Sequence, residues 1–205
     1  MEITEVTRNA ETFTCNAYLA VGIRNSLVDV GTSPTIYDVI DEHVDTVDDV
    51  FLTHKHGDHV GELDEVIERY DPDVYMFDVD DRATSGLRDG DEVDIGGETH
   101  RCLSTPGHSD DHIVFYNDER IFSGDVVVYN DDAYRDGSFG RTDMANQSRD
   151  LLIQSIEKIE KNLPETVESM YPGHGDVFRS TEEDSVNDVV ERALGRAEER
   201  QPKYG

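Results

Sequence analysis

Between residues 54 and 59 the chain puts three histidines and an aspartate on four of six positions, in Thr53-His54-Lys55-His56-Gly57-Asp58-His59. The run before it, Asp49-Val50-Phe51-Leu52-Thr53, is apolar and leans to β-structure. The run after it, Glu62 to Tyr70, has helical spacing of its apolar residues. The cluster therefore falls on a loop at the carboxyl end of a strand, where open α/β sheets hold their ligands. Imidazole and carboxylate together are the donors that zinc and similar divalent ions prefer. His54 and His56 can face one point, and Asp58 and His59 a second. Only eight histidines occur in the chain, so an ordinary polar loop is the weaker explanation for this density. Four donors cannot fill two coordination shells, and other segments must supply the rest.

The remaining periodicity is that of alternating strands and helices. Residues 3–8, 13–21 and 25–30 read as strands, followed by a helix over 35–45 with Ile36, Val39, Ile40 and Val44 on one face. A buried strand at 49–53 leads into the histidine loop. Helix 61–70, a strand at 74–77 and strand pairs at 91–95/99–104 and 112–116/120–123 come next. Residues 129–147 have no period and read as a long loop. Helix 148–161, a strand at 167–170 and a charged helix over 181–200 complete the chain. Each half carries strands on one side and helices on the other, which predicts an α+β protein, a four-layer αββα sandwich. At 205 residues this is expected to be a single domain, 1–205, with 181–205 a short C-terminal helix.

Three further candidate ligands each end a strand-like run: His108 after Thr105-Pro106-Gly107, Asp125 after Ser123-Gly124, and His174 after Tyr171-Pro172-Gly173. Singly each is an ordinary turn residue. Together they occupy one structural position, which is how distant segments converge on a site. Charge narrows the partners. The chain has 47 acidic and 18 basic residues, a net charge of −29. With no basic groove in prospect, nucleic-acid binding is disfavoured. A carboxylate-covered surface is suited to a high-salt cytosol, where salt screens its self-repulsion; a halophilic origin is expected. No apolar run reaches membrane-span length and Met1-Glu2-Ile3-Thr4-Glu5 is no signal peptide, so no membrane association and a cytoplasmic location are expected. Cys15 and Cys102 lie in apolar, strand-like contexts and read as buried thiols.

The series His54-x-His56-x-Asp58-His59, then His108, Asp125 and His174, resembles the metallo-β-lactamase-fold superfamily over nearly the whole chain. The resemblance implies two divalent metal ions, zinc by donor type with iron the alternative. It gives His54, His56 and His108 to one ion, Asp58, His59 and His174 to the other, and makes Asp125 the bridging carboxylate. By the same resemblance Asp29 supports the loop rather than binding metal, and the nucleophile is a water shared by the two ions. Asp58 and Asp125 are then the catalytic carboxylates, Asp58 able to orient the nucleophile or carry its proton. The segment Gly137-Ser138-Phe139-Gly140-Arg141-Thr142-Asp143 resembles the glyoxalase II-like (hydroxyacylglutathione hydrolase-like) group and also the persulfide dioxygenases. The first implies a hydrolase for a small-molecule thioester or ester, with Arg141 a candidate substrate-binding residue. The second implies one iron held at His54, His108 and Asp125. The run Ser109-Asp110-Asp111-His112 resembles a branch with nuclease-like members, which the acidic surface disfavours. Glyoxalase II grips glutathione with a Lys and a Tyr after the bridging Asp. Here Arg141 and Thr142 stand nearby instead, so the carrier thiol is open.

Overall fold

The apolar runs of the N-terminal half pair in the order in which they occur. Residues 1–200 are described by the computed structural model, and they divide into two compact units, 1–100 and 101 onward. In the first, one sheet takes β1 (Glu2–Glu5), β2 (Tyr18–Val21), β3 (Ser26–Val28), β4 (Asp49–Phe51), β5 (Asp73–Met76) and β6 (Ser85–Gly86) in sequence order. The pairs β1–β2 and β2–β3 are antiparallel and need only a turn. The pairs β3–β4 and β4–β5 are parallel, and a parallel step needs a crossover. Helix α1 (Ile36–His43) supplies the first; α2 (Gly57–Val60) and α3 (Leu63–Tyr70) supply the second. Ile36 and Ile40 of α1, and Leu63 and Val66 of α3, are fully buried with Leu19, Leu27, Val50 and Val74 of the sheet. Three- and four-residue spacing sets each pair on one helix face, and each such side chain contributes about 1.5–3 kcal/mol on burial.

A hairpin of β7 (Glu92–Ile95) and β8 (Glu98–Ser104) turns at Gly96-Gly97, both left-handed (φ 64° and 86°). It leads to β9 (Ile113–Tyr116), β10 (Arg120–Gly124), α4 (Arg149–Asn162), β11 (Ser169–Pro172), β12 (Phe178–Arg179) and α5 (Val186–Glu198). The second sheet has the order β12–β11–β10–β9–β8–β7, with β10–β11 parallel and β9–β10 antiparallel. Leu152, Ile156 and Ile159 of α4 share a core with Val186, Val189, Val190 and Ala193 of α5 and with Val114, Ile121 and Met170 of the sheet.

The expected strand over 13–21 narrows to Tyr18–Val21. Residues 14 and 15 are drawn elsewhere: the Cys15 N–H donates to the Asp58 carbonyl (3.2 Å) and the Thr14 hydroxyl accepts the Thr32 N–H (2.9 Å). The expected helix over 181–200 begins at Val186, because Thr181 and Asp184 close a turn ahead of it (2.8 Å). Residues 201–205 of the expected C-terminal helix lie outside the described residues. The long loop 129–147 is as expected, with a short bridge between Val128 and Ser138 near its start.

Candidate metal centre

In the first unit the site is built on the loops that leave the ends of β3 and β4. Asp29, directly after β3, takes a left-handed backbone conformation (φ 58°), which Asp tolerates better than bulkier residues. Its Oδ1 accepts the Thr53 N–H (2.8 Å), and its Oδ2 accepts the Thr53 hydroxyl (2.8 Å) and His59 Nδ1–H (2.9 Å). The Thr53 oxygen in turn lies 3.1 Å from His54 Nδ1, which donates to it because the hydroxyl hydrogen is already given to Asp29. Both rings thereby have Nδ1 protonated and Nε2 carrying the lone pair, the tautomer a metal ligand needs. His54 Nε2 stands 3.0 Å from His56 Nδ1, and the His54 and His59 ring centroids are 4.0 Å apart. His54 and His59 are buried; His56 and Asp58 are half-buried. The His59 carbonyl accepts the Val30 and Gly31 N–H groups (3.0 and 3.2 Å), which pins α2 to the end of β3.

Two neighbours of this loop are informative. Cys15, Asp29 and His59 place ligand atoms within 4.8 Å of one another, but Asp29 already accepts three hydrogen bonds. Burial also pushes the Cys15 thiol up to about 11, so it is a protonated core thiol, as expected of it. Lys55, within the motif, gave no sequence sign of a role. Its Nζ lies 2.6 Å from Asp78 and 4.0 Å from Asp80. The Arg82 guanidinium, hydrogen-bonded to Asp80, lowers that carboxyl to about 2, and Lys55, set against Asp78 and Asp80, ties the loop to the turn after β5.

In the second unit three strand ends converge. His108 comes after β8, Asp125 after β10 and His174 after β11. Asp125 Oδ2 is 3.2 Å from His108 Nε2 and 3.5 Å from His174 Nε2. The Arg141 carbonyl accepts His108 Nδ1–H (2.9 Å), which in the neutral imidazole leaves the lone pair on Nε2. Gly140 donates its N–H to the Asp125 carbonyl (2.6 Å), and a Cβ there would fall 2.6 Å from His108 Nδ1. The segment 137–143 thus supports two candidate ligands through backbone, at a residue that must be Gly. The Arg141 side chain, read from sequence as a candidate substrate contact, makes a two-bond pair with Asp143 (2.8 and 2.9 Å). Residue type draws attention to the arginine and not to the glycine beside it. His112 is a buried supporting residue: its ring touches Thr105 Oγ1 (2.8 Å) and the Asp125 N–H (3.0 Å).

These donors suit divalent cations. His108 Nε2, which in the neutral ring carries a lone pair, points at a carboxylate oxygen of Asp125. Lone pairs facing acceptors are stable only with a proton or a cation between them. Holding each histidine by its far nitrogen with a hydroxyl, carboxylate or carbonyl is the outer-shell arrangement of metal-binding histidines.

Comparison with known proteins places the chain in a family. Residues 10–174 match the family model described as "Metallo-beta-lactamase superfamily". The hydroxyacylglutathione hydrolase of Aliivibrio fischeri is 30% identical over 105 residues, 49% of this chain and 41% of that protein; the chain thus spans about two fifths of the length of such curated relatives. The crystal structure of ETHE1 from Myxococcus xanthus superposes with a TM-score of 0.73 at 23% identity, covering 98% of this chain and 92% of that one. The structure of TTHA1623 in a di-iron-bound form has a TM-score of 0.64 at 27% identity, covering 80% of this chain and 89% of that one.

Proposed function

The chain belongs to the metallo-β-lactamase superfamily, and from that premise we propose that it is a metal-dependent hydrolase cleaving a thioester or related ester, glyoxalase II-like in type. In this reading His54, His56 and His108 would hold one divalent ion and Asp58, His59 and His174 a second, with Asp125 a ligand common to both. Zinc suits a set of imidazoles and carboxylates, with iron the alternative. When bound, such a pair of ions supplies a Lewis acid for the substrate carbonyl and brings the pKa of a water toward neutrality. The chain's own residues do the rest. Asp29 and Thr53 keep His54 and His59 in the Nε2-presenting tautomer. The Arg141 carbonyl does the same for His108. Asp58, half-buried on α2, orients the nucleophile and carries its proton.

The observation that carries the reading is the anchoring of Nδ1 in His54, His59 and His108 by three chemically different acceptors. A supporting histidine turns its second ring nitrogen to an N–H, as His112 does to that of Asp125; His54 and His108 turn theirs to the His56 imidazole and the Asp125 carboxylate, other candidate ligands. A second reading, a persulfide dioxygenase with one iron at His54, His108 and Asp125, draws on the same Gly140-Arg141-Thr142-Asp143 segment, which resembles both groups. One pair of assays separates them. The hydrolase reading expects S-lactoyl thioester turnover without oxygen uptake, lost in Asp58→Ala; oxygen uptake with a persulfide and no thioester turnover would replace it with the second.

A further inference from the structure

Where the Asp125 carboxylate stands depends on its backbone, and both backbone polar groups are held. The Asp125 carbonyl accepts the Gly140 N–H (2.6 Å). The N–H of Asp125 takes a less common partner, the ring of a histidine, His112 Nε2 at 3.0 Å. An amide N–H only donates, so His112 Nε2 is the acceptor and Nδ1 carries the hydrogen. That hydrogen goes to Thr105 Oγ1, 2.8 Å away. His112 and Thr105 are both fully buried, and the Thr105 N–H donates to the His112 carbonyl (2.8 Å). Thr105 and His112 thus extend the β8–β9 pairing one step beyond Ser104 and Ile113 and frame the ring.

We propose that His112 is a positioning residue: a neutral imidazole of fixed tautomer, braced by Thr105, that sets the place of the bridging carboxylate by accepting its backbone N–H. The proposal rests on the two-metal reading of Asp125. By its position His112 acts on both ions, whereas a residue behind one terminal ligand acts on one. Gly124, left-handed at φ 49°, shows how tightly the chain turns here. The imidazole reaches across from the residue before β9, and so couples the loop bearing His108 to the one bearing Asp125.

The test uses the full chain, stripped of metal and titrated with zinc against a chromogenic chelator. Wild type, His112→Leu and His112→Gln are compared, with the thermal midpoint of each apo form measured alongside. Gln offers a carbonyl oxygen near the place of Nε2; Leu offers none. The expected result is zinc binding weakened about 10–100-fold at both sites in His112→Leu, with most of the loss recovered in His112→Gln. Unchanged zinc affinity in His112→Leu overturns the proposal. So does a loss shared equally by the Gln variant and matched by a fall in apo stability, which marks a folding role alone. Wild type that takes up no zinc or iron overturns the two-metal reading and this proposal together; wild type binding two ions with His112→Leu unaltered overturns this proposal only. Should His112→Leu not fold, Thr105→Val takes its place: weaker zinc binding supports the bracing role, and unaltered binding overturns it.

Discussion

Gly140 and Arg141 are adjacent, and the structure assigns them opposite importance. A methyl on Gly140 would collide with the Asp125 carbonyl and the His108 ring, whereas Arg141 contributes its carbonyl to His108 and turns its guanidinium to Asp143 in solvent. Gly140→Ala is therefore expected to lower metal affinity and kcat/KM about 10–100-fold, the usual effect of disturbing a ligand's outer shell. Arg141→Ala, which keeps the carbonyl, is expected to change metal affinity little. Chelator competition and steady-state assays on the two variants check this, and an Arg141→Ala effect as large as that of Gly140→Ala would return the side chain to the site. The seven candidate ligands could be nominated from the sequence because each is a histidine or aspartate at a strand end or within eight residues after one. Their supports were less legible. Asp29 could be read only by resemblance, Thr53 looks like any strand-end threonine, and the contribution of Arg141 is a main-chain oxygen that no residue type announces.

At the scale of elements, the long periodic segments were legible and the short ones were not. Helices α1, α3 and α4 lie close to where apolar spacing puts them, because a helix of two turns or more buries one face and leaves that record in sequence. Helix α2 has four residues, and β6 and β12 have two each; nothing so short shows a period. The 13–17 segment has the composition of a strand, yet tertiary hydrogen bonds to Asp58 and Thr32 claim it. Caps are a clearer local signal. Ser185 begins α5 with a complete capping box, its hydroxyl accepting the Asp188 N–H and the Asp188 carboxylate accepting the Ser185 N–H. Ser185→Ala is expected to destabilise the protein by about 1 kcal/mol. The loss would appear as a lower denaturation midpoint with unchanged m-value, and no change in midpoint would show that burial of Val186, Val189 and Val190 alone fixes the helix start.

For the whole molecule, charge and ligand count are the governing facts. The described residues contain no helix long and apolar enough to cross a membrane. With a net charge of −29, self-repulsion opposes the folded state, and salt relieves it by shortening the screening length from about 10 Å at 0.1 M to about 3 Å at 1 M. The thermal midpoint is accordingly expected to rise as KCl is raised across that range; a flat or falling midpoint in a scanning experiment would show that ion pairs such as Arg24–Asp49 outweigh the repulsion. We further propose that residues 1–205 act as one domain, since four candidate ligands lie in the first unit and three in the second, and neither set fills two shells. The claim on which everything else depends is that these seven side chains hold two ions. Its most direct measurement is elemental analysis of the purified full chain after reconstitution, beside Asp125→Ala. Two zinc or iron ions per chain are expected, with both reduced in Asp125→Ala; one ion or none in wild type, or two in Asp125→Ala, would contradict the claim.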